Sequence, residues 1–241
     1  MISCILVFYL SAFAGSPAQG DPDPDALYAQ RKDINSARRA ADLWKARVTA
    51  DRSNFEAAWK LARANYWLGR HAPQGERKAF LDAGITAGRA AVTSQPNRPE
   101  GHFWTAVNMG ALAESFGMRQ GLKYRGDIRG ELQIVLKLDP AFQQGSADRA
   151  LGRWYFKVPG MFGGSRKKSE EHLRRSLGYN ANSISSRFFL AETLLDMDRK
   201  AEALTELQRV IELPPDREWE PEDREFKQMA ERLLATLRQK K

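Results

Sequence analysis

A helix-breaking segment between two helical patterns constrains the fold of this chain most strongly. Apolar residues recur at helical spacing on both sides of this segment, within the stretch from Leu151 to Leu177. Proline and glycine interrupt the pattern, because proline lacks a backbone donor and glycine favours turns. The interrupting residues are Pro159, Gly160, Gly163 and Gly164. We therefore predict a helix-turn-helix unit with a long structural turn, in which Gly163 and Gly164 have positive φ.

Similar units recur along the chain. Large and small apolar residues stand side by side at Leu61-Ala62, Leu151-Gly152 and Leu190-Ala191, and such pairs let two helices pack closely. We predict four helical hairpins. Pro96, Pro140 and Pro214 follow the second helices of the first, second and fourth hairpins and close them. The first helices are expected near residues 55–68, 100–116, 143–157 and 183–197, and the second helices near 76–94, 125–138, 166–177 and 200–212.

Further helices are predicted at the two ends of this array. An N-terminal helical segment is expected from about Ala26, in two pieces around Asp33, and a C-terminal helix over 221–237 should cap the fourth hairpin. The first three hairpins are longer than the fourth, and we predict that their extra residues lie in the turns. The expected fold class is all-α, a short α-solenoid of helical hairpins with a C-terminal capping helix.

Residues 58–70 resemble the first helix and turn of a tetratricopeptide repeat. In this interpretation Gly69 ends the helix, because glycine tolerates the left-handed conformation found at helix C-termini.

A narrower resemblance covers most of residues 54–237. Its motifs are Pro-Glu-Gly-His-Phe-Trp-Thr-Ala-Val-Asn at 99–108, Leu-Lys-Leu-Asp-Pro at 136–140, Ala-Leu-Gly-Arg at 150–153 and Val-Pro-Gly-Met-Phe-Gly-Gly-Ser at 158–165, followed by Lys168 and Leu173. These motifs resemble the T-component family of tripartite ATP-independent periplasmic (TRAP) transporters. The resemblance implies a periplasmic tetratricopeptide-like protein, often a lipoprotein, that associates with a solute-binding protein. It also implies a homo-oligomer, a trimer with an internal hydrophobic pore or cleft.

The first 20 residues form a separate unit of the sequence. Residues 2–14 are almost continuously apolar and are followed by small residues, which is typical of a secretory signal peptide. The alternative is a buried N-terminal helix. Cys4 lies near the beginning of this run and does not follow it, as a lipobox cysteine would, so we expect no membrane tether and a periplasmic or secreted protein. Residues 21–241 are then predicted to form a single α-helical repeat domain.

Charge is distributed unevenly along the chain. From Arg119 to Arg175 there are 13 Lys or Arg against 6 Asp or Glu, whereas residues 212–231 hold 8 acidic and 3 basic residues. This asymmetry favours an oriented partner or head-to-tail contacts. Nucleic acid is not expected as a partner, because no nucleic-acid-binding motif accompanies the positive charge.

No enzymatic pattern is present in the sequence. His71, His102 and His172 lie far apart without a second ligand at metal-binding spacing, so packing or surface roles are expected and no metal site is predicted. Residues 160–169 lack the spacing of a phosphate-binding loop. We predict a protein that is not an enzyme and needs no cofactor.

Aromatic and basic residues concentrate around the long turn. Most of these aromatics are expected in the core, but some are candidates to line a ligand groove on the concave side of the solenoid, with cations meeting a ligand's charge. Trp104 and Tyr155 would share this groove if both point inward. The groove candidates are His102, Phe103, Trp104, Arg149, Arg153, Trp154, Tyr155 and Phe162.

Two functions remain open from the sequence. The first is an accessory subunit of a TRAP-type transport system, which binds a solute-binding protein and a small apolar or organic-acid ligand. The alternative is a general repeat scaffold of the cell envelope that binds proteins and no small molecule.

Overall fold

Eleven α-helices and one short 3-10 helix make up residues 22–239, the part of the chain that the computed structural model describes. The predicted signal peptide and Cys4 lie outside the described residues. The helices are α1 (Pro24–Ala29), α2 (Ile34–Ala50), α3 (Phe55–His71), α4 (Gln74–Ser94), α5 (Pro99–Phe116), α6 (Met118–Leu138), α7 (Phe142–Lys157), α8 (Arg166–Tyr179), α9 (Ile184–Asp196), α10 (Lys200–Glu212) and α11 (Glu220–Gln239), with the 3-10 helix at Gly160–Phe162.

The helices pair as four antiparallel hairpins, α3–α4, α5–α6, α7–α8 and α9–α10, which confirms the predicted repeat architecture. Helices α3, α5, α7 and α9 also contact one another in succession, so they form an inner layer, with the second helix of each hairpin behind them. The predicted break in the N-terminal segment is confirmed too. Asp33 caps α2 by accepting hydrogen bonds from the backbone of Asn35 and Ser36.

The predicted turns of the first two hairpins are wrong. Only Ala72 and Pro73 separate α3 from α4, and Gly117, with φ of 85°, alone separates α5 from α6. The extra residues extend the second helices instead: α4 and α6 each contain 21 residues, and α6 begins well before the predicted Arg125. In the third hairpin the extra residues do form a long turn, as predicted.

The role predicted for Gly69 is also wrong. This glycine lies inside α3, two residues before the helix ends, and a Cβ built on it would lie 2.4 Å from the side chain of Leu81 in α4. Gly152 stands in the same relation to Leu173, whose Cγ would lie 2.5 Å from such a Cβ. Both glycines therefore permit close packing of the two helices of a hairpin.

The apolar core falls into two main clusters. One extends from Tyr28 in α1 to Tyr155 in α7, and the other from Leu173 in α8 to Leu234 in α11. Buried hydroxyl groups lie between them: Ser169 of α8 donates to the Gly152 carbonyl at 2.8 Å and lies 2.9 Å from the hydroxyl of Thr193 in α9. The third and fourth hairpins are thus joined partly by polar contacts.

Helix α11 packs on α9 and α10 and caps the array, as predicted. Phe226 of α11 lies between the rings of Phe188 and Phe189 at centroid distances of 5.5 and 5.2 Å. Across residues 22–239, no helix is both long enough and apolar enough to cross a membrane.

Candidate functional site: the inner groove

We use the name groove for the side of α3, α5, α7 and α9 that faces away from the second helices of the hairpins, together with Arg31 beside it. Arg153 of α7 connects three of these helices. Its Nε donates to Glu114 of α5 at 3.0 Å, and its Nη1 donates to Glu192 of α9 at 2.6 Å. The guanidinium also lies 4.6 Å from the centroid of the Phe189 ring. Arg153 therefore holds the inner helices together.

The C-terminal part of the chain folds back across this groove. Residues 216–225, which we call the acidic segment, include the first turn of α11 and carry six carboxylate side chains. Glu225 lies 2.8 Å from Nε2 of His71 at the end of α3, and Glu222 pairs with Arg31. Trp219 packs against the apolar cluster of the N-terminal helices. The acidic segment thus connects the two ends of the solenoid.

Arg31 is the centre of this connection. Its side chain is only 5% exposed, and it donates to both oxygens of Glu222, at 2.9 and 2.5 Å, and to the Glu218 carbonyl at 2.7 Å. The guanidinium lies 5.1 Å from the Tyr28 ring centroid and 5.4 Å from that of Trp67. Because a buried guanidinium is costly without an anion, this position requires a carboxylate or an equivalent acceptor.

Two further ionisable groups, Arg149 of α7 and Asp223 of α11, are close enough to influence each other's charge. Burial lowers the pKa of the Arg149 guanidinium, although Tyr66 and Asp223 nearby favour its charged form. Burial also raises the pKa of Asp223 to about 6; the charges of Asp216 and Glu222 act in the same direction, and a hydrogen bond from the Asp216 backbone opposes the change. The acidic segment therefore carries one carboxyl group whose pKa, at about 6, lies well above the usual range of an aspartate.

Five of the predicted groove residues lie in the packed interior between helices. His102, Phe103, Trp104, Trp154 and Tyr155 are each 2 to 7% exposed. The structure does not bring Trp104 and Tyr155 to a shared surface. Trp104 packs on Tyr66 and Phe103, whereas Tyr155 stacks on His172 of α8 at 5.2 Å. A ligand role for these five residues stays a prediction.

Phe162 lies in the long turn that follows α7, outside the four inner helices. Its ring lies 5.4 Å from the guanidinium of Arg125 on α6, and Arg129 of the same helix lies 5.6 Å from the ring of Trp154. The indole of Trp154 donates to the Arg125 carbonyl at 3.1 Å. Phe162 and Trp154 therefore attach the turn to α6. Arg149 and Arg153 lie on the inner helix α7, and a ligand role for them stays a prediction.

The long turn is closed by its own backbone. The Gly164 amide donates to the Pro159 carbonyl at 3.2 Å, and the Ser165 amide donates to the Tyr155 carbonyl at 3.0 Å. Gly163 has φ of 100°, as the sequence predicts for this position, but positive φ at Gly164 was a wrong prediction. Glycine is required at position 164 for lack of space instead, because a Cβ there would lie 1.7 Å from the Val158 carbonyl oxygen.

Each histidine lies beside one carboxylate. His71 meets Glu225, His102 lies 2.5 Å from Glu131, and His172 lies 2.6 Å from Asp148. In the part of the chain that the structure describes, no cluster of three or more His, Cys, Asp or Glu side chains is arranged to hold a metal ion. His102 and His172 thus each connect the two helices of one hairpin, whereas His71 connects α3 to α11.

Sequence reasoning missed the residues that close the groove. Arg31, His71, Glu222 and Glu225 were not candidates, because Arg31 and Glu222 are separated by 191 positions and nothing in the local pattern links them. The available signal was the acidic composition of residues 212–231, which predicted head-to-tail contacts without identifying the partner surface. The structure shows that part of this acidic surface is used within the chain.

Comparison with known proteins gives two family matches. A model described as TRAP transporter T-component matches residues 102–241, and a model described as Regulator of microtubule dynamics protein 1-3 matches residues 23–170. Among curated protein sequences, none matches significantly. The two models together span all the helices described above.

Solved structures give the fold. TTC0263, a thermophilic TPR protein of Thermus thermophilus, is similar with a TM-score of 0.64 at 21% identity, covering 86% of this chain and 96% of that one. MamA from Desulfovibrio magneticus RS-1 is similar with a TM-score of 0.51 at 17% identity, covering 80% and 96% respectively. These similarities support a tetratricopeptide-like α-solenoid. By its sequence, the chain belongs to the TRAP transporter T-component family and, over residues 23–170, also to the family of Regulator of microtubule dynamics protein 1-3.

Proposed function

We propose that this protein is a non-enzymatic periplasmic accessory subunit of a TRAP-type transport system, and that it binds a solute-binding protein through the groove. The observation that carries the proposal is the T-component match over residues 102–241, which contains most of the inner layer. A repeat solenoid suits this role because its inner helices present one extended surface.

The proposal includes a small apolar or organic-acid ligand. Arg149 is the cation best placed to meet a ligand carboxylate, since it lies on the inner helix α7 near Tyr66 and Asp223. Arg153 is already paired with Glu114 and Glu192, so it is better suited to supporting the surface. A homotrimer is part of the same proposal and rests on the family resemblance.

Calorimetric titration of the full chain with the solute-binding protein encoded next to it tests the transport role. We expect a saturable complex that weakens when Arg149 is replaced by Ala, and native mass spectrometry of protein from the source cell should reveal a bound small molecule. The exposed Arg119→Ala variant on α6 is the control. No complex with that solute-binding protein would contradict the transport role.

A general envelope scaffold is the second candidate. It is favoured by the match of residues 23–170 to a family model that describes no transport component. A protein complex without a solute-binding protein or small molecule would support this candidate.

A further inference from the structure

The acidic segment occupies the groove as a ligand would. It does not pack broadly on the N-terminal helices, because the close helix contacts of α11 are with α9 and α10. Its contacts with the N-terminal end are made by a few groups, namely the carboxylates of Glu222 and Glu225, the backbone carbonyl of Glu218 and the indole of Trp219. A connection made by so few groups can be replaced by a competitor that offers the same groups.

The receiving surface selects negative charge. Arg31 is buried and takes both oxygens of one carboxylate, and His71 stacks on Trp67 at 3.6 Å while facing a second carboxylate. Arg70, one residue away, adds positive charge near Glu225. If the acidic segment leaves, Arg31 loses the carboxylate that pairs with it, so another anion can bind at the same place.

The fit of the acidic segment is incomplete. A cavity of about 200 Å³ lies beside the connection, and its lining includes Tyr28, Arg31, Arg217 and Trp219. A bulkier occupant has room here, because this cavity is bordered both by the segment and by the N-terminal helices.

We propose that the groove binds an acidic, aromatic-containing peptide segment of a partner protein, and that the chain's own acidic segment occupies this position until the partner displaces it. The partner segment supplies a carboxylate to Arg31, a second one to His71, and an apolar side chain in place of Trp219. This inference goes beyond the proposed transport role, since it applies to any protein partner with such a segment.

A synthetic fluorescent peptide with the sequence of residues 213–226 tests the inference by anisotropy against the full chain. Replacing Glu222 and Glu225 together by Gln weakens the internal competitor. The peptide should then bind at least about tenfold more tightly than it binds the unaltered chain, because a larger fraction of the groove is open. The Glu231→Gln variant, altered at an exposed position of the same helix, should behave like the unaltered chain.

The specificity of peptide binding is tested with altered peptides and with one further substitution in the groove. A peptide with every carboxylate changed to its amide, and a scrambled peptide of equal charge, should both bind at least about tenfold more weakly. Adding His71→Gln to the double variant should reduce peptide binding, and it spares the buried Arg31. Circular dichroism of each variant shows whether it is folded.

The proposal would be overturned if the unaltered chain and the double variant bound the peptide of residues 213–226 with equal affinity. It would also be overturned if the scrambled peptide bound as tightly as the peptide of residues 213–226. If the double variant does not fold alone, thermal unfolding in the presence of each peptide replaces anisotropy. Only the acidic peptide should then restore a cooperative transition, and no restoration counts against the proposal. These outcomes leave the transport role untouched, because no transport component is used.

Discussion

At the scale of single residues, the long turn depends on backbone contacts that exclude a side chain at one glycine and not at another. Replacing Gly164 by Ala would push a methyl group into the Val158 carbonyl, so the turn must shift. We expect a loss of about 1 to 3 kcal/mol in the free energy of unfolding. A Cβ on Gly160, in the same turn, meets nothing within 4 Å.

Urea unfolding of both variants measures this difference. Gly160→Ala is the matched control and should change stability by less than about 0.5 kcal/mol. Equal losses for the two variants would mean that the turn tolerates a displacement that the structure excludes.

The raised pKa of Asp223 should make the stability of the protein depend on pH. Its folded-state pKa is raised to about 6, so the folded chain holds this proton more tightly than the unfolded chain does. Its contribution to stability therefore decreases as pH rises from about 4 to 6 and is fully unfavourable above that range. Asp223→Asn should stabilise the protein at pH 7.5 by at most about 3 kcal/mol, and this gain should shrink by about 1 kcal/mol or more at pH 5.

Thermal unfolding at both pH values, with the exposed Asp42→Asn variant as control, checks this expectation. The pKa of the nearby Glu225 is shifted in the opposite direction. Burial alone would raise its pKa, but His71, Arg70 and Arg31 lower it, so its contribution is lost at low pH. A pH-independent effect of Asp223→Asn would show that the carboxyl group is not desolvated.

At the scale of helices, periodicity predicts most of the fold because each hairpin buries one apolar stripe. The bounds of α3, α5, α7, α9 and α10 follow the apolar pattern closely. Turn lengths could not be predicted in the same way, since polar residues suit both a turn and an exposed helix surface. Arg119, Gln120 and Lys123 are of this kind, and the stretch that contains them extends α6.

Candidate site residues were harder to predict than helices. An aromatic residue next to a charged one has the same sequence pattern in a core as in a groove, and Trp154 and Tyr155 belong to the core. Arg149 was a candidate because the aromatic helices lie next to the basic stretch from Arg119 to Arg175, and its ligand role stays a prediction. Arg31 was missed because its carboxylate partner comes from the other end of the chain.

The polar contacts between α7, α8 and α9 predict where the protein opens first. The C-terminal apolar cluster contains fewer buried side chains than the N-terminal cluster and is joined to α7 partly through Ser169 and Thr193. We therefore expect amides in α9 and α10 to exchange with solvent at a lower opening free energy than amides in α3 and α5. Native-state hydrogen exchange measures this difference, and one shared opening free energy for all four helices would contradict it.

At the scale of the whole molecule, the solenoid is closed by contacts between its two ends. Arg31 and Glu222 belong to opposite ends of the sequence, and Trp219 joins the N-terminal core. A partner that binds the groove must therefore compete with the chain itself, and the strength of the internal contact sets the apparent affinity.

The distance between the two ends tests this account most directly. Spin labels at Lys32→Cys and Arg217→Cys, both exposed positions beside the connection, report the distance in a chain whose Cys4 is replaced by Ser. We expect one short distance in the free protein and a second, longer distance that grows in population as the peptide of residues 213–226 is added. A long distance in the free protein, or an unchanged short distance with the peptide bound, would contradict the account.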